Sequence, residues 1–225
     1  MSKQPERISI PRLWNSFLEV LNLEKGFLLT IKDLAVRPGK MMRSYLFTEK
    51  RFDYAKPFSF LVLLTAIGTF LTAKILAYSQ GQTEEQVQQF PEAMQDSVQR
   101  AMDLLGEYYN LYQVSQIPIY ALATYWLFKS IRYNYAEHLI INCFLTAFSA
   151  LIFILVFPLF FISPSLMSAL LVVIFVYQVY FYQSIFQEKL LFTIGKAFLT
   201  YFIVSALHGL LIMSSLFAYF YLFEA

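Results

Sequence analysis

Five apolar runs separated by short polar segments occupy the chain from residue 57 onward. A helix needs roughly 20 mostly apolar residues to cross about 30 Å of hydrocarbon, and four of the runs exceed that length: 57–78, 139–162, 165–186 and 197–223. The remaining run, 111–128, is shorter and carries Gln113, Gln116 and Pro118, so its helix is expected to begin in the polar stretch before it. Lys74 is the one charge in the first run, and its long stem can carry the ammonium to the headgroups. Only Ser163-Pro164 separates the third and fourth runs, which predicts a tight antiparallel hairpin with Pro164 heading the next helix. The pattern predicts an all-α fold, a polytopic membrane helix bundle of about five transmembrane helices.

Residues 1–56 are amphipathic but too polar to span. A helix opened by Pro11 would place Leu13, Trp14, Phe17, Leu18 and Leu21 on one face, with Trp14 at the interface. Arg37-Pro38-Gly39 then breaks the pattern, and Pro38 can head a second helix whose Met41, Met42, Tyr45 and Leu46 oppose Lys40 and Arg43. Such helices are expected to lie in the cytoplasmic interface. Two regions follow: an interfacial segment at 1–56 and a transmembrane domain at 57–225. Between the first two spans, Thr83-x-x-Gln86 resembles a capping box and Pro91-Glu92 a helix start. An amphipathic helix over about 83–108 is expected outside the membrane, capping the bundle or extending the second span.

Charge sorting fixes the expected orientation. Residues 1–56 hold 11 Lys or Arg, and the 129–138 and 187–196 loops hold two each; segment 79–110 holds only Arg100 against six acids. Basic residues stay on the cytoplasmic side during insertion. The N-terminus is therefore expected in the cytoplasm and the C-terminus outside, in a bacterial inner membrane. No cleavable signal is expected, because the first long apolar run starts near Pro57. At 58% hydrophobic and 14% charged, the composition departs from soluble domains in both directions. No basic stripe lies away from the membrane flanks, so nucleic acid is excluded as a partner. One cysteine, Cys143, allows neither a disulfide nor a cysteine zinc site, and neither metal nor cofactor is expected.

Motifs for catalysis are absent: no His-Glu-x-x-His, no Gly-rich phosphate loop, no Gly-x-Ser-x-Gly elbow. The polar candidates at membrane depth are few. Glu137 and His138 begin the third span, as a helix start at the interface or as a headgroup or proton site. His208 in the fifth span is either a functional imidazole or a neutral bond to a neighbouring helix. Gln178 and Gln183 in the fourth, among Tyr177, Tyr180 and Tyr182, would line a polar interior or hold helices together. Arg37, Lys40, Arg43, Lys50, Arg51 and Lys56, with Trp14, form a collar suited to anionic lipid, each basic group worth about 1 kcal/mol near the surface.

The stretch Thr30-Ile-Lys-Asp33-Leu-Ala-Val-Arg37-Pro38-Gly39, followed by Tyr45, Arg51, Tyr54 and Pro57, resembles a bacterial membrane family, domain of unknown function 3667. Tyr133-Asn-Tyr-Ala-Glu137-His138 resembles it too. Members often carry a cysteine-rich zinc ribbon ahead of this region, which is missing here, and Glu49 stands where a glycine is usual. The resemblance implies a bacterial inner-membrane protein without an assigned activity. Three roles compete. A non-enzymatic scaffold or lipid-interacting bundle leads, with membrane lipids as partners and a possible protein partner at the cytoplasmic face; scaffold function predicts no internal cavity at all, plus an exposed apolar or basic cytoplasmic surface. A transporter or channel component would gather Gln178, Gln183 and His208 around one water-filled path. An enzyme acting on lipid headgroups would need Glu137 and His138 within reach of each other.

Overall fold

In the computed structural model the described residues are 26–78, 87–107, 109–129, 131, 133–162 and 166–223. The expected Trp14 helix, the Thr83 capping box and the Ser163-Pro164 turn lie outside them. Eight α-helices are described: α1 (Phe27–Val36), α2 (Pro38–Phe47), α3 (Pro57–Tyr78), α4 (Glu92–Glu107), α5 (Tyr109–Leu127), α6 (Tyr135–Val156), α7 (Leu166–Phe186) and α8 (Leu190–Phe223). Short 3-10 segments follow α2 at Glu49–Asp53 and α6 at Phe157–Phe161. The fold is an all-α membrane helix bundle, with no strand among the described residues. Lipid offers the backbone no hydrogen-bond partners, and a helix satisfies its own.

Four helical segments are long and apolar enough to cross a membrane: Glu49–Ile75, Tyr135–Phe161, Ala169–Phe186 and Leu190–Ser215. The helix over the second expected span, α5, has 19 residues with Pro118 inside it and does not join that group. It packs against α3, α6 and α8, with Ile117, Ala121 and Ala123 buried and Pro118, Tyr125 and Trp126 exposed. The ends of the other spans differ from the apolar runs where capping chemistry intervenes. α6 starts at Tyr135, four residues before Leu139, because Asn134 and Glu137 form a capping box. Its α-helical part stops at Val156, and the run to Phe161, holding Pro158, is 3-10. α8 begins at Leu190 rather than Ala197 and has 34 residues, about 50 Å at 1.5 Å per residue. Pro91 and Glu92 do start the amphipathic α4. Its Met94 is exposed, and one residue separates the helix from α5, so it leads into the second span.

α1 and α2 form a collar at the end of the bundle where α3 and α6 begin and α5 and α7 end. The Pro38 break and the two faces of α2 are as the sequence predicts: Met41 and Met42 are fully buried, Lys40 and Arg43 exposed. The close-packed core fills the collar half, where Phe128 stacks on Phe186 at 4.3 Å and Phe148 on Tyr177 at 4.5 Å. Leu28, Val36 and Phe52 project outward from the collar, alongside its basic side chains. Apolar and basic groups on one outer surface suit the headgroup zone.

Candidate functional site

Much of the collar chemistry fastens it to the bundle. Gly26, at φ 85, lets the chain turn into α1 where a Cβ would overlap the Asp53 carbonyl. Thr30 Oγ1 donates to Gly26 O at 2.6 Å and accepts from Ala55 N at 2.9 Å. Asp33, 2% exposed, takes both arms of the Arg37 guanidinium, at 2.8 and 3.2 Å, and the Tyr54 hydroxyl at 2.8 Å. Burial opposes the Asp33 charge, but the hydrogen bonds from Arg37 and Tyr54 outweigh it and hold the carboxyl below its usual range. Tyr54 is pushed up to about 12, first by burial and then by its bond to that carboxylate.

α7 completes the attachment. Tyr177 and Tyr180 donate to the carbonyls of Leu34 and Val36 at 3.2 and 2.8 Å, satisfying two acceptors that the end of α1 leaves open. Ser184 Oγ accepts the Gly39 N–H, an orphan donor in the first turn of α2, at 2.8 Å. The backbones approach so closely here that a Cβ on Gly39 would overlap the Ser184 carbonyl oxygen. Arg43 reaches the same carbonyl at 3.4 Å.

Deeper in the bundle, four side chains from three helices close a polar network. Thr124 Oγ1 on α5 donates to the carbonyls of its own helix at Tyr120 and Ala121, so toward its neighbours it only accepts. It meets His138 Nδ1 at 3.0 Å and takes Asn142 Nδ2 at 2.9 Å. With the Thr124 proton directed into its own helix, the tautomer that completes this contact carries its proton on Nδ1. Asn142 spends its second N–H on His138 O and accepts the Tyr182 hydroxyl at 2.9 Å. His138 Nε2 is then a buried lone pair without a partner. The ring stacks on Phe186 at 5.4 Å and meets the edges of Tyr125 and Tyr133.

Beyond this network, in the half of the bundle away from the collar, lies a cavity of about 690 Å³. Ligand pockets span roughly 300–1,000 Å³. Residues of α3, α5, α6, α7 and α8 line it. Leu171, Val172, Phe198 and Tyr201 at its rim are also exposed on the bundle surface, so its opening faces the zone of the acyl chains. Thr65, Thr69 and Thr72 line one wall, Ser149 another, and Gln178 its floor nearest the network. Gln178 is 5% exposed, and its Nε2 lacks a hydrogen-bond partner. The amide approaches the Tyr182 hydroxyl one turn away, but the geometry falls short of a hydrogen bond to Nε2.

The site residues expected from sequence therefore divide. Glu137 accepts the Asn134 N–H at 2.7 Å as part of the helix cap, whereas His138 points into the buried network. The pair does not share a cleft. His208 bonds Ser115 on α5 at 2.9 Å, away from the cavity lining. Gln183 is half-buried and likewise outside that lining, so of the expected polar path only Gln178 reaches the cavity. Arg37 is committed to Asp33 and is not a free lipid-binding group, while Lys40, Lys50, Arg51 and Lys56 are exposed; Trp14 lies outside the described residues. A bundle without a cavity, as a pure scaffold predicts, is not what the helices form. Sequence reasoning singled out neither Thr124 nor Asn142. The available signal was two polar residues, His138 and Asn142, four apart on one face of an apolar helix.

Fold and site together define a multi-pass helical membrane protein. The family described as Protein of unknown function (DUF3667) matches residues 24–68, the stretch that holds the Asp33–Arg37–Tyr54 cluster, Gly39 and the first half of α3. The resemblance noted from the sequence is supported over that segment. No curated protein and no solved structure matches the chain.

Proposed function

We propose that the chain is a non-enzymatic, lipid-interacting bundle of the cell membrane that holds a lipid within its spans. The cavity away from the collar carries this reading. It is ligand-sized, mostly apolar, and rimmed by exposed apolar side chains from two helices that would face acyl chains. The collar supports it from one leaflet, where Lys40, Lys50, Arg51 and Lys56 meet anionic headgroups and leave the N-terminus on the cytoplasmic side. Transport is the weaker alternative, because His208 and Gln183 stand apart from Gln178. Headgroup catalysis is weaker still, because Glu137 caps a helix and His138 faces aromatic rings.

The test is native mass spectrometry of protein released from membranes into mild detergent. Wild type is expected to retain a bound lipid through delipidation, and Ala150→Trp, which fills the cavity from α6, to lose it. Equal lipid retention by wild type and Ala150→Trp, or none by either, would overturn the proposal.

A further inference from the structure

The donors and acceptors on the cavity wall specify more than an apolar ligand. Thr65, Thr69 and Thr72 each donate to the carbonyl four residues back, at 2.8, 2.8 and 2.9 Å, and Ser149 does the same to Leu145 at 2.9 Å. Their protons are spent inside their own helices, so toward the cavity these four hydroxyls offer lone pairs alone. Gln178 is the complement: a buried N–H donor that finds no protein partner, beside which Gln116, Tyr120, Thr146 and Tyr201 add neutral polar groups to the lining. None of the lining residues is Asp, Glu, Lys, Arg or His, so a charged group entering would be desolvated without a counterion.

From this complement we infer that the occupant is a neutral lipid bearing both a free hydroxyl and an ester carbonyl, the diacylglycerol class. Its carbonyl accepts a hydrogen bond from the Gln178 Nε2–H, and its hydroxyl donates to the threonine oxygens of α3. The acyl chains leave past Leu171, Val172 and Phe198 into the bilayer. A phospholipid is rejected because no cation in the lining offsets the charge of its phosphate. This inference rests on the lipid-holding cavity proposed above and adds the headgroup class.

The test uses the purified full chain in nanodiscs, with three probes compared by native mass spectrometry: 1,2-dioleoylglycerol, its 3-acetyl ester and dioleoylphosphatidylglycerol. Acetylation removes the hydroxyl donor and adds a small neutral acyl group, and the phosphatidyl probe adds charge. Wild type is expected to bind dioleoylglycerol at least tenfold more tightly than either. Gln178→Leu should weaken dioleoylglycerol about tenfold while melting no lower than wild type, since it removes an unpartnered buried amide rather than a structural bond. Thr69→Val serves as a second variant and should narrow the gap between dioleoylglycerol and its acetyl ester. If phosphatidylglycerol binds as well as dioleoylglycerol, the cavity holds lipid but the neutral class is wrong. If Gln178→Leu binds dioleoylglycerol as wild type does, the assigned donor is wrong. If no probe binds, both the class and the lipid-holding reading fall.

Discussion

Replacing Gly39 by alanine sets two ordinary effects against each other. In an open helical position the change favours folding by about 0.5–1 kcal/mol, because glycine has more backbone freedom to lose. At Gly39 the new methyl would stand 2.6 Å from the Ser184 carbonyl carbon, where ordinary contacts begin at 3.4 Å. The obstruction is backbone on both sides, so no side chain can rotate away and α2 must move off α7 by about an ångström, a shift that a close-packed interior resists. Overpacking of this kind costs about 1–3 kcal/mol. The displacement also strains the Gly39 N–H bond to Ser184 and the Tyr177 and Tyr180 bonds to α1, at about 1 kcal/mol for each one lost. The sum is a loss of about 2–4 kcal/mol, or about 5–15 °C in Tm at 2–4 °C per kcal/mol for a chain of this size. Thermal aggregation of detergent-purified protein, followed by size-exclusion chromatography, reads the shift. Gly195→Ala is the internal control, since a Cβ there meets nothing within 4 Å. Adding Ser184→Ala to the Gly39→Ala background should restore little, because it removes the hydroxyl that the methyl also meets but leaves the carbonyl clash in place. A Gly39→Ala protein as stable as wild type, or a Gly195→Ala protein equally damaged, refutes the close approach.

Thr124→Val keeps the shape but leaves the His138 Nδ1–H and one Asn142 N–H facing a methyl group. A loss of about 2–4 kcal/mol is expected, with Thr124→Ser nearly neutral, and nitrogen-15 spectra of wild type should show His138 protonated on Nδ1; an Nε2–H ring would mean the network runs otherwise. At the collar, the depressed Asp33 pKa contributes stability that is present above its ordinary value of 3.8 and lost as pH falls through the lower folded value. The raised Tyr54 pKa acts in the other sense: its contribution is present below pH 10 and disappears as pH rises through about 12. The ultraviolet phenolate titration of wild type minus Tyr54→Phe should therefore centre near 12, and a midpoint near 10 would show that the phenol does not hold the carboxylate.

The long spans were legible because lipid makes a one-dimensional demand, length and apolarity, that hydropathy reads directly. α5 was the hardest to read for the same reason. Gln113, Gln116 and Pro118 lower its hydropathy, and Gln116 lines the cavity. The Pro38 break and the buried Met41 and Met42 followed from helical spacing. Gly39 was visible as part of that break but not as a contact point, because its partner Ser184 is 145 residues away. The polar network was hidden by dispersion: Thr124, His138, Asn142 and Tyr182 come from three helices, and each alone passes for packing. Nor could the cavity be foreseen, since it arises from how helices splay and not from any residue type. Gln178 was noticed as a polar group in an apolar span, yet only the missing partner makes it informative.

The long reach between Gly39 and Ser184 also sets an order of events. Thr30 and Asp33 can bind Ala55 and Tyr54 early, but the bonds from α7 cannot close over α1 and α2 until Tyr177, Tyr180 and Ser184 have been synthesised and α7 has entered the bilayer. The early-made amphipathic stretch must wait on the membrane surface through most of translation, so the portion of the chain born first is secured among the last. Nascent chains halted before residue 177 should accordingly leave residues 27–56 open to protease, and chains extended through α8 should shield them.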